Sequence, residues 1–317
     1  MDGSPPPLAV ITEDLDAEPA LWLGQRCEVV WQAHDDPALS EVLLRASALI
    51  VRTYTRVDTT MLTQAPRLKV VARAGVGLDN IDLEACKARG VHVVSTPGAN
   101  TRAVVEYVIA MLLDATRDRL FLEQPLPIDE WKKLRKDLEA PRQLADLTLG
   151  IVGMGRIGQQ VARAATALDM RVVYHDLKKI PEDHCFGAEP GSRDELLERA
   201  DAITVHVDGR PENHGLIDAD WFGRMRSDVV FINTSRGMIV DAAAGAAFLQ
   251  GHTGACALLD VHEPEPIMAE NPLLALPNAH LSPHIAGGTR AAKLAMSWEV
   301  RDVWRVLSGE EPEHAAV

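Results

Sequence analysis

The stretch Gly150–Asp176 reads GIVGMGRIGQQVARAATALDMRVVYHD. It opens apolar, turns on glycines, continues with helix formers and returns to a β-branched run that ends in Asp176. That order predicts a strand, a tight turn, a helix and a second strand. Gly153, Gly155 and Gly158 form G-x-G-x-x-G. The first glycine permits the turn. The second lets backbone approach a pyrophosphate, and the third lets the helix pack close to the strand. The helix N-terminus then offers free N–H donors and a positive dipole end to phosphate. Asp176 stands 18 residues beyond Gly158. A carboxylate there accepts hydrogen bonds from both adenosine ribose hydroxyls and repels a 2′-phosphate. The stretch therefore predicts dinucleotide binding, with NAD(H) favoured over NADP(H). Lys178 and Lys179 weaken that preference, since a nearby cation tolerates a phosphate.

Outward from this stretch the chain keeps alternating. Leu8–Thr12, Ala48–Arg52, Leu68–Ala72 and Val91–Val94 read as short buried strands, with helical stretches such as PALSEVLLRAS and DLEACKARG between them. After TPGAN, the residues Val104, Val105, Val108, Ile109, Leu112 and Leu113 recur at helical spacing and predict a long helix that ends in a loop around Pro125 and Pro127. A second series begins at Leu147, with LGIVG, RVVYHD, AITVHV, VVFINT and ACALLDV as its strands. The last helical segment, Arg290–Leu307, is placed to cross back to the first series.

At 317 residues the chain suits two domains better than one. Its formal net charge of −14 argues against nucleic acid and anionic membrane surfaces as partners, while a few focused cations still allow an anionic small substrate. Cys27, Cys86, Cys185 and Cys256 show neither CxxC spacing nor a neighbouring His at metal-ligand spacing. They read as free thiols of a reducing cytoplasm, with no metal site. The start, MDGSPPPLAVIT, is acidic and proline-rich and does not resemble a secretory signal. The longest apolar stretch, Val104–Leu113, is too short to span a bilayer.

Three later segments carry reactive side chains. INTSRGMIVD places Arg236 just after an apolar strand; LLDVHEPEP has Asp260 at a strand end and Glu265 in the following turn; LSPHIAGGT carries His284. Open α/β sheets place ligand sites at the carboxyl ends of their strands, which is where all three fall. Hydride transfer to a ketone leaves an alkoxide that must be protonated, and a histidine suits that task near neutral pH. A neighbouring carboxylate favours the imidazolium. A guanidinium suits two-point recognition of a carboxylate.

With VRTYTRVD, RAGVGLDNID, TPGANTRAVVEY, GIVGMGRIG, INTSRGMIVD, LLDVHEPEP and SPHIAGGT together, the chain resembles the D-isomer-specific 2-hydroxyacid dehydrogenases, and within them the phosphoglycerate dehydrogenase-like branch. The likeness runs from about Ala48 to Gly309. It implies an α/β fold of two Rossmann-like, doubly wound parallel-sheet domains with an interdomain active-site cleft. Residues 1–98 plus 286–317 would form the substrate domain, and residues 99–285 the NAD-binding domain. It implies an NAD-dependent oxidoreductase interconverting a D-2-hydroxy acid and its 2-oxo acid, with 3-phosphoglycerate, hydroxypyruvate and glyoxylate as candidate types. Arg236 would bind the substrate carboxylate and polarise the C2 oxygen. His284 would be the acid in reduction and the base in oxidation, oriented by Glu265. Glu263 also precedes a proline, but Glu265 has the family spacing of five residues from the strand-end Asp260.

Cofactor contacts implied by the resemblance are Arg156, Ile157, Val207, Thr234, and Asp260 near the nicotinamide amide. Val76 and Gly77 would present N–H groups to the substrate carboxylate. Arg52 and Arg73 match arginines of the phosphoglycerate-type branch and suit a phosphate or second anionic group. The long helix after TPGAN commonly pairs subunits in this family, so a homodimer is expected. With the sequence stopping soon after the return helix, the regulatory domains of longer phosphoglycerate dehydrogenases are not expected.

The chain departs from the family after AITVHV. A Pro or Leu and a Thr usually follow, but here the sequence is DGRPENHGLI, which would put Asp208 and Arg210 beside the nicotinamide edge. His262 stands where Phe is common, and like His206 reads as a structural or cofactor-wall residue. The competing function class is an NAD-sensing, corepressor-like interaction protein on the same fold. The intact set of Arg236, Glu265 and His284 favours the enzyme.

Overall fold

The computed structural model describes residues 6–317 and separates into two compact units: the chain up to Asn100 together with Gly288–Val317, and Thr101–Gly287. The first five residues of the acidic start lie outside the described residues.

The first unit is built on strands β1 (Leu8–Ile11), β2 (Glu28–Trp31), β3 (Ala46–Val51), β4 (Val70–Arg73) and β5 (His92–Ser95), all parallel, in the order β2-β1-β3-β4-β5. Along β1, Leu8 and Val10 join one apolar layer while Ala9 and Ile11 join the other, so the sheet is covered on both faces. Strand order reverses between β1 and β3. That is the switch point at which a doubly wound sheet opens a crevice between diverging loops. β2, an edge strand of the sequence EVVW, is not among the expected strands; its short run is half-buried to exposed and carries a weak signal.

The expected return helix is two helices, Arg290–Ser297 and Val300–Ser308. At the junction the bonding tightens, with Arg301 N–H donating to Trp298 O and Asp302 N–H to Glu299 O. Val300, Val303 and Val306 then pack with Ile50, Val70 and Ala72 of the first sheet. Asp302 ties down the chain end by accepting from Glu313 N–H and His314 N–H, both at 2.9 Å.

The second unit holds seven parallel strands: β6 (Thr148–Val152), β7 (Arg171–His175), β8 (Glu189–Pro190), β9 (Ala202–Val205), β10 (Val230–Asn233), β11 (Cys256–Leu259) and β12 (Ala279–Leu281). Their order is β12-β11-β10-β9-β6-β7-β8, which puts the switch point between β6 and β9. The long helix, Thr101–Thr116, buries Val104, Val108 and Leu112 in the same layer as Val161, Ala162 and Ala165 of helix Arg156–Ala167. It ends before the Pro125 region. A further helix, Ile128–Asp137, follows; it buries nothing, and only acids in its first turn and bases in its last favour it. Among the described residues no helix is long and apolar enough to cross a membrane.

Candidate functional site

The glycine loop leaves β6 at the second unit's switch point. Gly153 has φ +93°, and a Cβ there would lie 2.9 Å from the carbonyl carbon of His206. A Cβ on Gly158 would lie 2.2 Å from Gly153 O. These two glycines serve internal packing. Gly155 differs: it is exposed, it is the N-cap of helix Arg156–Ala167, and a Cβ on it would meet nothing within 4 Å. Its small size leaves room for a group outside the protein to reach the helix N-terminus. Arg156 is exposed at the first helical position and Ile157 is half-buried. Asp176, at the end of β7, accepts from Met154 N–H through Oδ2 and from Lys178 N–H through Oδ1, both at 2.7 Å. It thus braces the glycine loop, and each oxygen keeps a second lone pair.

Val207 lies against Gly153, with a methyl 3.0 Å from where a Cβ would stand. His206 Nε2 pairs with Thr204 Oγ1 at 3.0 Å, and burial pushes the ring down to about 3, so it is neutral. Thr234, after β10, is buried, and its Oγ1 has no partner among the described residues. A buried hydroxyl left unmet by the protein is costly unless another group meets it. The open approach at Gly155 and the unmet Thr234 hydroxyl both fit a bound dinucleotide.

A second set of residues is linked contact by contact. Arg236 follows β10, and its carbonyl accepts from Asn233 Nδ2 at 2.9 Å. Its guanidinium Nη1 donates to Ser235 O at 2.6 Å. The next residue, Gly237, packs so closely that a Cβ would lie 2.0 Å from the carbonyl carbon of His262. His262 N–H donates to Glu265 Oε1 at 3.0 Å, and Glu265 Oε2 lies 2.8 Å from His284 Nδ1. The segment bearing Arg236 is thereby packed against the segment that orients His284. Burial alone would raise the Glu265 carboxyl, but the His284 and His262 hydrogen bonds outweigh it and hold it below its ordinary value. The Glu265 carboxylate accepts, so Nδ1 carries the proton and Nε2 is left as the exchangeable nitrogen. Glu265, and not Glu263, makes this pair. His262 Nε2 is taken up by Ser282 O at 2.8 Å, which gives this ring a structural place.

His284 has φ +54°, a conformation a non-glycine residue holds only under constraint. Asp260 supplies the constraint. Its backbone O accepts from His284 N–H (2.8 Å), its Oδ1 from Ser282 Oγ (2.6 Å) and Ile285 N–H (2.9 Å), and its Oδ2 from Ala286 N–H (2.7 Å). Asp260 is 0% exposed. The carboxylate is enclosed beneath the loop and holds it. Asp208 and Arg210 follow β9 in the chain. They pair with each other directly after Val207, Arg210 donating to both carboxylate oxygens of Asp208.

In the first unit, the loop after β3 is gathered by a residue absent from the sequence-derived set. Glu13 accepts from the N–H groups of Arg52, Thr53, Tyr54 and Thr55 at 2.8–3.0 Å and from Thr55 Oγ1 at 2.7 Å. Burial opposes its charge, but the hydrogen bonds from Tyr54, Thr55 and Arg52 prevail and hold its pKa at about 2. Glu13 follows β1 and its loop follows β3, so this capture occurs at the first sheet's switch point. Arg52 Nη1 reaches Asp14 O at 3.3 Å. The Arg73 guanidinium covers Gly75, where a Cβ would overlap it. The N–H groups of Val76 and Gly77 have no backbone partner among the described residues.

Residues 109–286 match the family model described as D-isomer specific 2-hydroxyacid dehydrogenase, NAD binding domain. The chain belongs to the D-isomer specific 2-hydroxyacid dehydrogenase family. It is 37% identical over 307 residues to a D-3-phosphoglycerate dehydrogenase of Mycobacterium tuberculosis, covering 96% of this chain and 57% of that one. It thus spans little more than half the length of that relative. It is 35% identical over 300 residues to a glyoxylate reductase of Aeropyrum pernix, covering 92% of this chain and 90% of that one. The structure of a D-lactate dehydrogenase from Aquifex aeolicus, complexed with NAD and lactic acid, superposes with a TM-score of 0.82 at 27% identity, covering 96% of each chain. Family membership makes the second unit a nicotinamide dinucleotide-binding domain, consistent with the cradle at Gly155.

Proposed function

We propose that the chain is an NAD-dependent oxidoreductase that interconverts a D-2-hydroxy acid and its 2-oxo acid. The observation that carries this reading is the His284–Glu265 pair, set on a constrained loop and packed through His262 and Gly237 against the segment bearing Arg236. The nicotinamide, when bound, supplies or accepts the hydride. In reduction His284 gives its proton to the C2 oxygen, and in oxidation it takes that proton back. Arg236 binds the substrate carboxylate and stabilises charge growing on the C2 oxygen. Glu265 keeps the imidazole in the tautomer that exposes Nε2.

Gly153, Gly155, Arg156, Ile157 and Gly158 would hold the pyrophosphate, Asp176 the adenosine ribose, and Val207 and Thr234 the flanks of the dinucleotide. Asp176 supports NAD(H) over NADP(H). Val76 and Gly77 would offer their N–H groups to the carboxylate, with Arg52 and Arg73 for a further anionic group. On this reading the second unit binds the cofactor and the first recognises substrate. A homodimer in the cytoplasm belongs to the same proposal. Phe121, 85% exposed, and the neighbouring exposed Leu120 and Leu122 beyond the long helix suit burial against a second copy, and the four free cysteines suit a reducing compartment.

The relatives named above are dehydrogenases and reductases, and they lend nothing to the corepressor-like alternative. An NADH-oxidation screen across 2-oxo acids, with glyoxylate, hydroxypyruvate and 3-phosphohydroxypyruvate included, tests the proposal. Turnover of at least one is expected. No turnover of any, with NADH bound, would favour the interaction-protein reading.

A further inference from the structure

The loop after β9 carries a charge pair that the dinucleotide reading leaves unused. Arg210 donates through Nε and Nη2 to the two carboxylate oxygens of Asp208, at 2.6 and 2.5 Å. Asn213 Nδ2 donates to Asp208 Oδ1 at 3.1 Å and to its carbonyl at 2.9 Å. The Arg210 hydrogen bonds hold Asp208 below its ordinary range, and Lys178 adds to this from the loop after β7. Asp208 raises Arg210 in turn, with Glu212 and then Asp176 contributing. The pair follows immediately on Val207, whose methyl packs against Gly153 of the same loop that Asp176 braces through Met154 N–H.

Three cations, Lys178, Lys179 and Arg210, accompany three carboxylates, Asp176, Asp208 and Glu212, in this neighbourhood. A guanidinium presents the same two-point fork to a phosphate as to a carboxylate. Arg210 is therefore the group best suited to receive a 2′-phosphate there, and Asp208 already occupies its fork. The pair is about half exposed, at 50% and 59%, so its intrinsic strength is small. It persists because the partners are two residues apart, which gives a high effective concentration.

We propose that Asp208 is a second selectivity residue for the dinucleotide: it occupies the Arg210 fork that would otherwise bind a 2′-phosphate, and so acts with Asp176 to favour NAD(H). This rests on the reading that the second unit binds its dinucleotide at the Gly153 loop with the adenosine ribose at Asp176. Asp208 does not touch the reacting atoms; it acts by withholding a cation.

Calorimetric titration with ADP-ribose and 2′-phospho-ADP-ribose isolates the adenosine end and needs no turnover. The wild type is expected to prefer ADP-ribose. Asp208→Asn keeps the shape and removes the charge. It is expected to reduce that preference by about 5-fold, the scale of one exposed ionic contact. Adding Arg210→Ala to Asp208→Asn should restore the wild-type preference. An unchanged preference in Asp208→Asn would overturn the proposal, as would a gain that survives loss of Arg210. If the wild type binds neither ligand, the dinucleotide reading itself is overturned and this proposal falls with it.

Discussion

Glu13 in the first unit and Asp260 in the second are both strand-end carboxylates that gather a neighbouring loop, and they do so under different constraints. Glu13 is half-buried and collects four consecutive N–H groups and a hydroxyl from the loop bearing Arg52. No residue of that loop has positive φ. Asp260 is fully buried and holds a loop whose central residue, His284, sits at φ +54°. Left-handed backbone costs a non-glycine residue about 1–2 kcal/mol, which the bonds to Asp260 must outweigh. The tighter constraint thus lies where the proposed reaction moves a proton, and the looser one where the proposed task is recognition of a charged group.

The largest expected effect follows from breaking the tighter anchor. Asp260→Asn places an amide NH₂ against N–H and O–H donors, so one contact must become repulsive. Turnover should fall by about 100-fold, the scale of a catalytic group misplaced by roughly 1 Å. NADH affinity should change far less. Steady-state kinetics with parallel NADH titration check this, and an unchanged kcat would show that the His284 loop holds itself.

The corresponding change at the looser anchor, Glu13→Gln, should act first on stability. The Glu13 pKa is lowered from 4.5 to about 2, so its contribution is present above pH 4.5 and is lost as pH falls through about 2. With allowance for partial exposure, Glu13→Gln should cost about 1–2 kcal/mol at neutral pH. It should also flatten the wild-type loss of stability between pH 4.5 and 2. Thermal unfolding across that range is the check. Parallel acid limbs in the two proteins would show that the loop is not held by charge.

The smallest effect near pH 5, and one that grows with pH, is expected at Glu299, a buried glutamate in the first unit with the opposite environment. Its Oε1 has no partner among the described residues; burial first, and then Asp302, raise it to about 9. A raised acid contributes stability that is fully present below its unfolded value of 4.5, falls progressively above it and is lost by about pH 9. Glu299→Gln should therefore match the wild type near pH 5 and exceed it near pH 9. A wild type that keeps its melting temperature up to pH 10 would contradict this.

These carboxylates also show where sequence reading stops. The roles of Gly153 and Gly158 were legible because backbone sterics tie glycine to such turns. The Glu265–His284 pair followed from spacing and from family likeness. Glu13 was not legible. It sits among other acids in TEDLD, and its partners lie some 40 residues away in a loop that only the β1–β3 adjacency brings near. Asp260 was legible as a strand-end acid, but nothing in LLDVHEPEP shows that its side chain turns inward beneath SPHIAG. Similarly, the Arg290–Leu307 pattern keeps its apolar spacing across the junction at Trp298 and Glu299, so the tightening there leaves no sequence signal. Strand β2 and helix Ile128–Asp137 were missed because one is a short edge and the other buries no side chain.

The central claim is that His284 moves the proton at the substrate oxygen. Single-turnover oxidation of bound NADH by the best 2-oxo acid, compared between the wild type and His284→Ala, tests it most directly. General acid catalysis of this kind contributes about 10²–10⁴-fold. The hydride-transfer rate should fall by that amount while NADH affinity is retained, because the ring acts on the substrate oxygen and not on the adenosine half. A variant that binds NADH and transfers hydride at nearly the wild-type rate would contradict the assignment.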